Sequence, residues 1–200
     1  MIKSNKLRSE NETHVVYCVL GRKNRGSKAI VKKFCEEYGF KVVKPNTTRN
    51  RRIGEYGDNS DFTFVHWSQF EKDKDKVIGC RDIGSSRYYV TEDQLLEGDF
   101  FLVDPSMLKE VQEKVNPRKI KIVPIVIRCS LRTAIQRASN RVDGIAKFST
   151  KAEAENEMYY KFEKLIGDSE IEVETVQNED TLEQAVNKMY SIVERVSKED

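Results

Sequence analysis

The sequence is poor in the residues that build metal centres or disulfide frameworks. Its 4 cysteines, Cys18, Cys35, Cys80 and Cys129, are scattered over 200 residues. They form no CxxC pair and no ligand-like spacing, which argues against a zinc site or a disulfide scaffold. Cys18 and Cys129 fall in apolar, strand-like runs, where a thiol acts as a small hydrophobe. An excess of one charge is also missing: 35 basic residues against 33 acidic ones leave a net charge of +2. So small a field does not make nucleic acid or a membrane surface the main partner. No apolar run approaches the roughly 18 residues that a membrane-crossing helix needs. The opening MIKSNKLRSENET is polar throughout, without the apolar centre of a signal peptide. A reducing, cytoplasmic setting is therefore expected. Internal repeats and low-complexity linkers are absent as well.

What the chain does contain is 38% hydrophobic and 34% charged residues, enough for one globular domain with a heavily charged surface. Apolar runs at 14–20, 40–43, 99–103, 120–127 and 171–176 read as strands, the fourth interrupted by Pro124. Helical spacing or capping signals fall at 26–38, 69–74, 91–96, 107–115, 130–140, 150–166 and 181–197. Gly39 is placed to end the first helix, Ser68 to start the second, and Thr91, Ser130 and Thr181 to cap later ones. Alternating strands and helices indicate an α/β core with a mostly parallel sheet. Between residues 45 and 92 short strands and loops predominate, which suggests an inserted unit. The expected organisation is an extension over 1–13 and one domain over 14–198. Its core comprises 14–44 and 93–198.

Residues 19–28 read VLGRKNRGSK. A strand that runs into Gly21, a second glycine at Gly26 and then a helix is the outline of a phosphate-binding loop. Such a loop works because backbone N–H groups converge on an anion at a helix N-terminus. The usual ending is glycine, lysine, then a hydroxyl residue, and here Ser27 and Lys28 stand in reversed order. One helical position is about 100° of rotation, so Lys28 starts from the wrong direction. Lys23, reaching in from the loop, is the alternative source of charge. An ordinary strand-to-helix turn with surface lysines is the competing explanation.

Residues 47–65 read TTRNRRIGEYGDNSDFTFV. Two guanidinium groups three positions apart, Arg49 and Arg52, can grip a phosphate monoester through charge-assisted forks, with Glu55 orienting one of them. The alternative is a solvated basic loop. Together with the loop upstream, this stretch resembles the guanylate kinase family. The resemblance rests on Thr47, Thr48, Arg49, Arg52, Gly54, Glu55, Asp61, Phe64 and Val65. It extends through Phe70, Glu71, Tyr88, Tyr89, Gly98, Asp104, Arg137, Arg141 and Asn178, from about residue 14 to 196.

That resemblance implies a P-loop NTPase-type sheet with an inserted nucleoside-monophosphate-binding unit at about 45–92 and a helical lid at about 137–160. It implies ATP-dependent phosphoryl transfer to GMP or dGMP, giving GDP or dGDP, with Mg²⁺ bridging the ATP phosphates. Gly21, Lys23, Gly26, Ser27 and Lys28 would hold those phosphates. Arg49, Arg52, Glu55 and Tyr89 would hold the acceptor phosphate, with Thr91 and Asp104 at the base. Lys28, Arg137 and Arg141 would neutralise the migrating group. Several positions depart from the family pattern. Phe62 replaces a phosphate-binding tyrosine, Cys80 or Asp82 stands near the base-reading carboxylate, and residues 149–166 offer Lys151, Lys161 and Lys164 in place of a further lid arginine. Asp104 also reads as a helix cap. These departures keep a second outcome open: a catalytically inactive module that recognises a nucleotide or a phosphorylated partner protein.

Overall fold

The computed structural model describes residues 13–22, 24–56, 60–140, 159–167 and 171–199. The core is a four-stranded sheet in the order β6-β1-β7-β8, comprising β1 (His14–Leu20), β6 (Phe100–Leu102), β7 (Ile120–Arg128) and β8 (Glu174–Gln177). Every pairing within it is parallel. Parallel strands need helical crossovers, which cover both faces of the sheet, so each strand must be apolar on both sides. β1 meets that demand with VVYCVL. Val15, Tyr17 and Val19 pack with α1 (Ser27–Tyr38) and α7 (Leu182–Glu199), and Val16, Cys18 and Leu20 pack with α4 (Pro105–Lys114) and residues 159–167. The latter residues are the described part of α6. Cys18 is fully buried, and desolvation drives its thiol pKa far upward.

This is the α/β architecture with a mostly parallel sheet that the strand and helix pattern implies. Pro124 does not interrupt β7. β8 pairs with β7 only from Ile125 onward, so at Pro124 that side is still an edge, where a missing N–H is tolerated. The run 40–43 forms no strand and contributes a single bridge, Val42 to Phe100. Gly39 ends α1 in the left-handed conformation at φ 74° and donates its N–H to Cys35 O.

A second four-stranded sheet lies between the halves of the core, in the order β3-β2-β5-β4. Its strands are β2 (Asn46–Thr47), β3 (Thr63–Phe64), β4 (Val77–Ile83) and β5 (Ser86–Thr91), with α2 (Trp67–Asp73) between β3 and β4. His66, not Ser68, caps α2: its ring accepts from Ser68 N–H. β4 and β5 form an antiparallel hairpin with Ile83 opposite Ser86, and Gly84 turns it at φ 60°. The hairpin docks on α4 through Gly79, where a Cβ would stand 2.8 Å from Val111 and 2.9 Å from Met107. α3 (Glu92–Leu96) and α5 (Leu131–Ser139) complete the fold.

Candidate functional site

Loops at the carboxyl ends of parallel strands are where open α/β sheets bind ligands, and three of them converge here. The loop after β1 turns tightly: Arg25 N–H donates to Arg22 O at 3.1 Å, and Asn24 and Gly26 adopt positive φ, 63° and 92°. Gly26 is the N-cap of α1, yet no side chain caps this helix and its first turn holds no acidic residue. Among the described residues, the first N–H groups of α1 and its positive end therefore lack the side-chain acceptor that normally satisfies them.

Asn178, just after β8 and only 4% exposed, ties this loop to α5. Its side-chain NH₂ donates to Arg25 O at 2.7 Å, while its backbone and side-chain oxygens accept from Arg137 Nη2 at 3.0 and 3.3 Å. Gly26 is obligatory at this clamp, because a Cβ there would lie 2.4 Å from Asn178 Nδ2. The other terminal nitrogen, Arg137 Nη1, is buried with no hydrogen-bond partner among the described residues and lies 3.8 Å from that same Cβ position. A buried charged donor left unpaired is costly, so Nη1 retains the capacity for one further acceptor. Gly21 is close-packed too, its Cβ position 3.1 Å from Ser27 Cβ.

Beside the loop a cavity of about 410 Å³ opens between Arg22, Arg25, Arg128, Tyr159, Glu163 and Glu179, among other residues. Arg22 stacks on the Tyr159 ring at 5.1 Å, and Arg128 pairs with Glu163 at 2.6 Å. Cys129 lines the same cavity. Burial raises its thiol pKa, and the nearby charges of Arg25 and Arg137 pull against that rise. Glu179 accepts from Ser130 N–H and from the hydroxyls of Ser130 and Thr133. Those bonds hold its carboxyl below the ordinary range, Thr133 first.

Lys28 takes a different direction from the loop. Its ammonium pairs with Asp61 of the second sheet at 2.5 Å, with the two side chains 62% and 46% exposed. The register error anticipated from the order Ser27–Lys28 is thus met by a new partner for the lysine. Lys23 and Arg141 lie outside the described residues, as does most of the expected lid.

On the second sheet, Arg49 and Glu55 form a closed fork. Arg49 Nη1 and Nη2 donate to the two carboxylate oxygens at 2.7 and 2.6 Å, and Arg52 N–H donates to Glu55 at 2.8 Å. Those bonds, Arg49 first, lower the Glu55 pKa to about 2. Phe62 and Phe64 stack on the Arg49 guanidinium at 5.4 and 5.0 Å. Phe62 thus supplies a ring against the arginine where the family pattern has a hydroxyl. Arg49 Nε is buried with no partner among the described residues. The Arg52 side chain is exposed and joins no ion pair among the described residues.

The remaining expected site residues are committed elsewhere. Tyr89 is fully buried, and its hydroxyl donates to Asp73 at 2.8 Å. Thr91 closes a capping box with Gln94 at the start of α3. Asp104 caps α4 through one oxygen, accepting from Ser106 and Met107 N–H groups, and takes Arg81 Nη1 on the other at 2.6 Å. Asp82 pairs bidentately with Arg87 at 2.7 and 2.8 Å, on the face where Arg87 meets Phe70. Cys80 N–H donates to Glu110. Sequence reasoning missed Arg81 and the Lys28–Asp61 pair. It named Asn178 and Tyr88 without giving either a role.

No protein-family model matches the chain, and no curated protein sequence does. Solved structures do. The guanylate kinase from Anaplasma phagocytophilum superposes with a TM-score of 0.57 at 19% identity, over 98% of this chain and 89% of that one. The chain has a guanylate kinase-like fold. A second solved structure, that of APE1195, is 17% identical and covers 95% of this chain and 99% of that one, at a TM-score of 0.49.

Proposed function

We propose that this guanylate kinase-like protein transfers a phosphoryl group from ATP to a nucleoside monophosphate, with GMP or dGMP as acceptor and GDP or dGDP as product. The observation that carries this reading is Arg137 Nη1, buried and without a partner among the described residues beside the uncapped start of α1 at Gly26. A phosphate in that corner satisfies both the orphan guanidinium nitrogen and the free helix N–H groups. Gly21 and Gly26 let the backbone approach it, and Ser27 supplies a hydroxyl at the same helix end. Arg22 and Arg25 extend the positive wall towards the neighbouring cavity. ATP supplies the group that moves. Mg²⁺ would be held largely by the nucleotide's own phosphate oxygens, since no cluster of three or more His, Cys, Asp or Glu side chains stands ready among the described residues. On the second sheet, Arg49 and Arg52 are the cations for the acceptor phosphate, with Glu55 fixing the first and leaving the second without an ion pair among the described residues. The acceptor oxygen is already a nucleophile, so the protein's work is positioning and charge neutralisation.

A second reading is favoured by one contact, Lys28 on Asp61. With that ammonium turned away from the loop, the protein would bind a nucleotide or a phosphorylated partner without turnover. Calorimetric titration with ATP and GMP separately, followed by a coupled phosphoryl-transfer assay over several nucleoside monophosphates, decides between them. The kinase reading expects both ligands to bind and product to form in a Mg²⁺-dependent manner. GMP binding with neither ATP binding nor turnover would overturn it in favour of the module.

A further inference from the structure

The hairpin β4–β5 carries two rows of side chains, and its register fixes which row faces the core. Residues directly opposite in an antiparallel pair project from the same face, and successive residues alternate. Tyr88 lies opposite Arg81 on β4 and opposite Thr47 on β2, and Thr47 in turn lies beside Phe64 on β3. Arg81, Tyr88, Thr47 and Phe64 therefore share one face. Tyr89, Cys80 and Asn46 share the other.

Contacts identify the inward row. Arg81 reaches Asp104, at the carboxyl end of β6 in the core. Tyr88 meets the Phe62 ring edge-on at 5.4 Å, and Phe62 stacks on the Arg49 guanidinium. The outward row packs under α2: Tyr89 rests on Phe70 at 5.2 Å and bonds Asp73. The two neighbouring tyrosines thus have different work. Glu55 is the main cause that raises the Arg49 pKa, and Tyr88 adds a smaller contribution in the same direction.

We infer that the inward pair Tyr88 and Arg81 recognises the acceptor nucleotide, Tyr88 donating its hydroxyl to the phosphate at Arg49 and Arg81 donating to the O6/N7 edge of a 6-oxopurine. This rests on the reading of a nucleoside monophosphate acceptor given above. Asp104 accepts from the α4 cap on one oxygen and from Arg81 on the other, so that carboxylate orients Arg81. Arg81 gives one N–H to Asp104, and its remaining donors have no protein partner among the described residues. A guanidinium presents donors only. It matches the paired acceptors O6 and N7, and it meets a donor, the 6-amino group, on adenine. The base would then be chosen by its 6-oxo edge, with the 2-amino group unread.

Calorimetry of the full chain with GMP, IMP, AMP and inorganic phosphate tests this without any substitution. The expected result is GMP and IMP within about twofold of each other and AMP at least about tenfold weaker. Tyr88→Phe should weaken GMP, IMP and phosphate alike by roughly ten- to a hundredfold. Arg81→Gln, with Arg81→Lys as the variant that keeps the charge without the fork, should bring the IMP-to-AMP ratio towards one and leave phosphate binding unchanged. Tyr89→Phe should lower the thermal midpoint while the folded protein retains its affinity for GMP. GMP binding more than about tenfold tighter than IMP would overturn the inference, because a carboxylate would then be reading the 2-amino group. So would full GMP affinity in Tyr88→Phe, or an unchanged IMP-to-AMP ratio in folded Arg81 variants. Binding by none of the four probes would bring down the acceptor reading itself, and this inference with it.

Discussion

Gly26 admits no side chain, for two separate reasons: its φ of 92° and the 2.4 Å that a Cβ would leave to Asn178 Nδ2. An L-residue in the left-handed region costs about 1–2 kcal/mol, and the clash must also displace the amide that holds the loop carbonyl of Arg25. Gly26→Ala should therefore lower the thermal midpoint by at least about 2–4 °C and weaken ATP binding far more than GMP binding, as paired melts and titrations would reveal. Equal loss of both ligands would point to global unfolding instead. Glu55 lends itself to a pH experiment. Its pKa in the folded chain is about 2 against an ordinary 4.5, with the Arg49 hydrogen bonds as the largest cause and the Arg52 N–H next. A folded-state pKa below the unfolded one stabilises fully above 4.5, and the benefit drains away as pH falls from 4.5 towards 2. Acid titrations of the wild type and Glu55→Gln should thus converge across that window and differ above it. Parallel curves at every pH would show that the fork contributes nothing to folding.

Helix ends account for much of what became of the expected base-binding residues. Thr91 and Asp104 each sit immediately before a helix, where a side-chain oxygen satisfies N–H groups that the helix leaves open. Thr91→Ala should cost about 1 kcal/mol, a fall of roughly 2–4 °C in melting temperature, with GMP affinity unaltered. A large loss of affinity at unchanged melting temperature would return Thr91 to the site. The same elements mark how far the sequence could be read. β1, α1 with its Gly39 stop, the Thr91 and Ser130 caps and α7 were legible, because strong apolar runs and capping residues carry local signals. β4 was not, since VIGCRDI has no clean alternation and a bulge shifts its register between Val77 and Gly79. Without β4 the partner of Tyr88 could not be assigned, so the choice between Tyr88 and Tyr89 and the presence of Arg81 stayed hidden. Side-chain pairings over long separations, such as Lys28 with Asp61, leave no trace in spacing at all.

The two sheets of this molecule are joined unevenly. At the β4 end the inserted sheet is packed hard on α4 through Gly79, Val111 and Met107, and pinned by Arg81 on Asp104. Near β3 the link is polar and wet, the pair Lys28–Asp61 with both side chains about half exposed. Exposed ion pairs stabilise by about 0–1 kcal/mol and weaken with salt, so the second link can yield while the first holds. The β3 end is therefore held by the weaker of the two links, and the ammonium that holds it is that of Lys28. Exchanging the two residues, Ser27→Lys with Lys28→Ser, removes the bridge and starts a lysine from the direction of the anion cradle. The double variant should gain phosphoryl-transfer rate while its melting temperature moves by less than about 4 °C. Asp61→Asn separates the two effects, since it frees Lys28 without moving it. A gain in the double variant alone assigns the deficit to lysine register; an equal gain in Asp61→Asn assigns it to the bridge. No gain in either, measured in the coupled assay at low and high salt, would mean that the amine at position 28 does not limit catalysis, and the limiting charge would have to be sought on the arginines of α5.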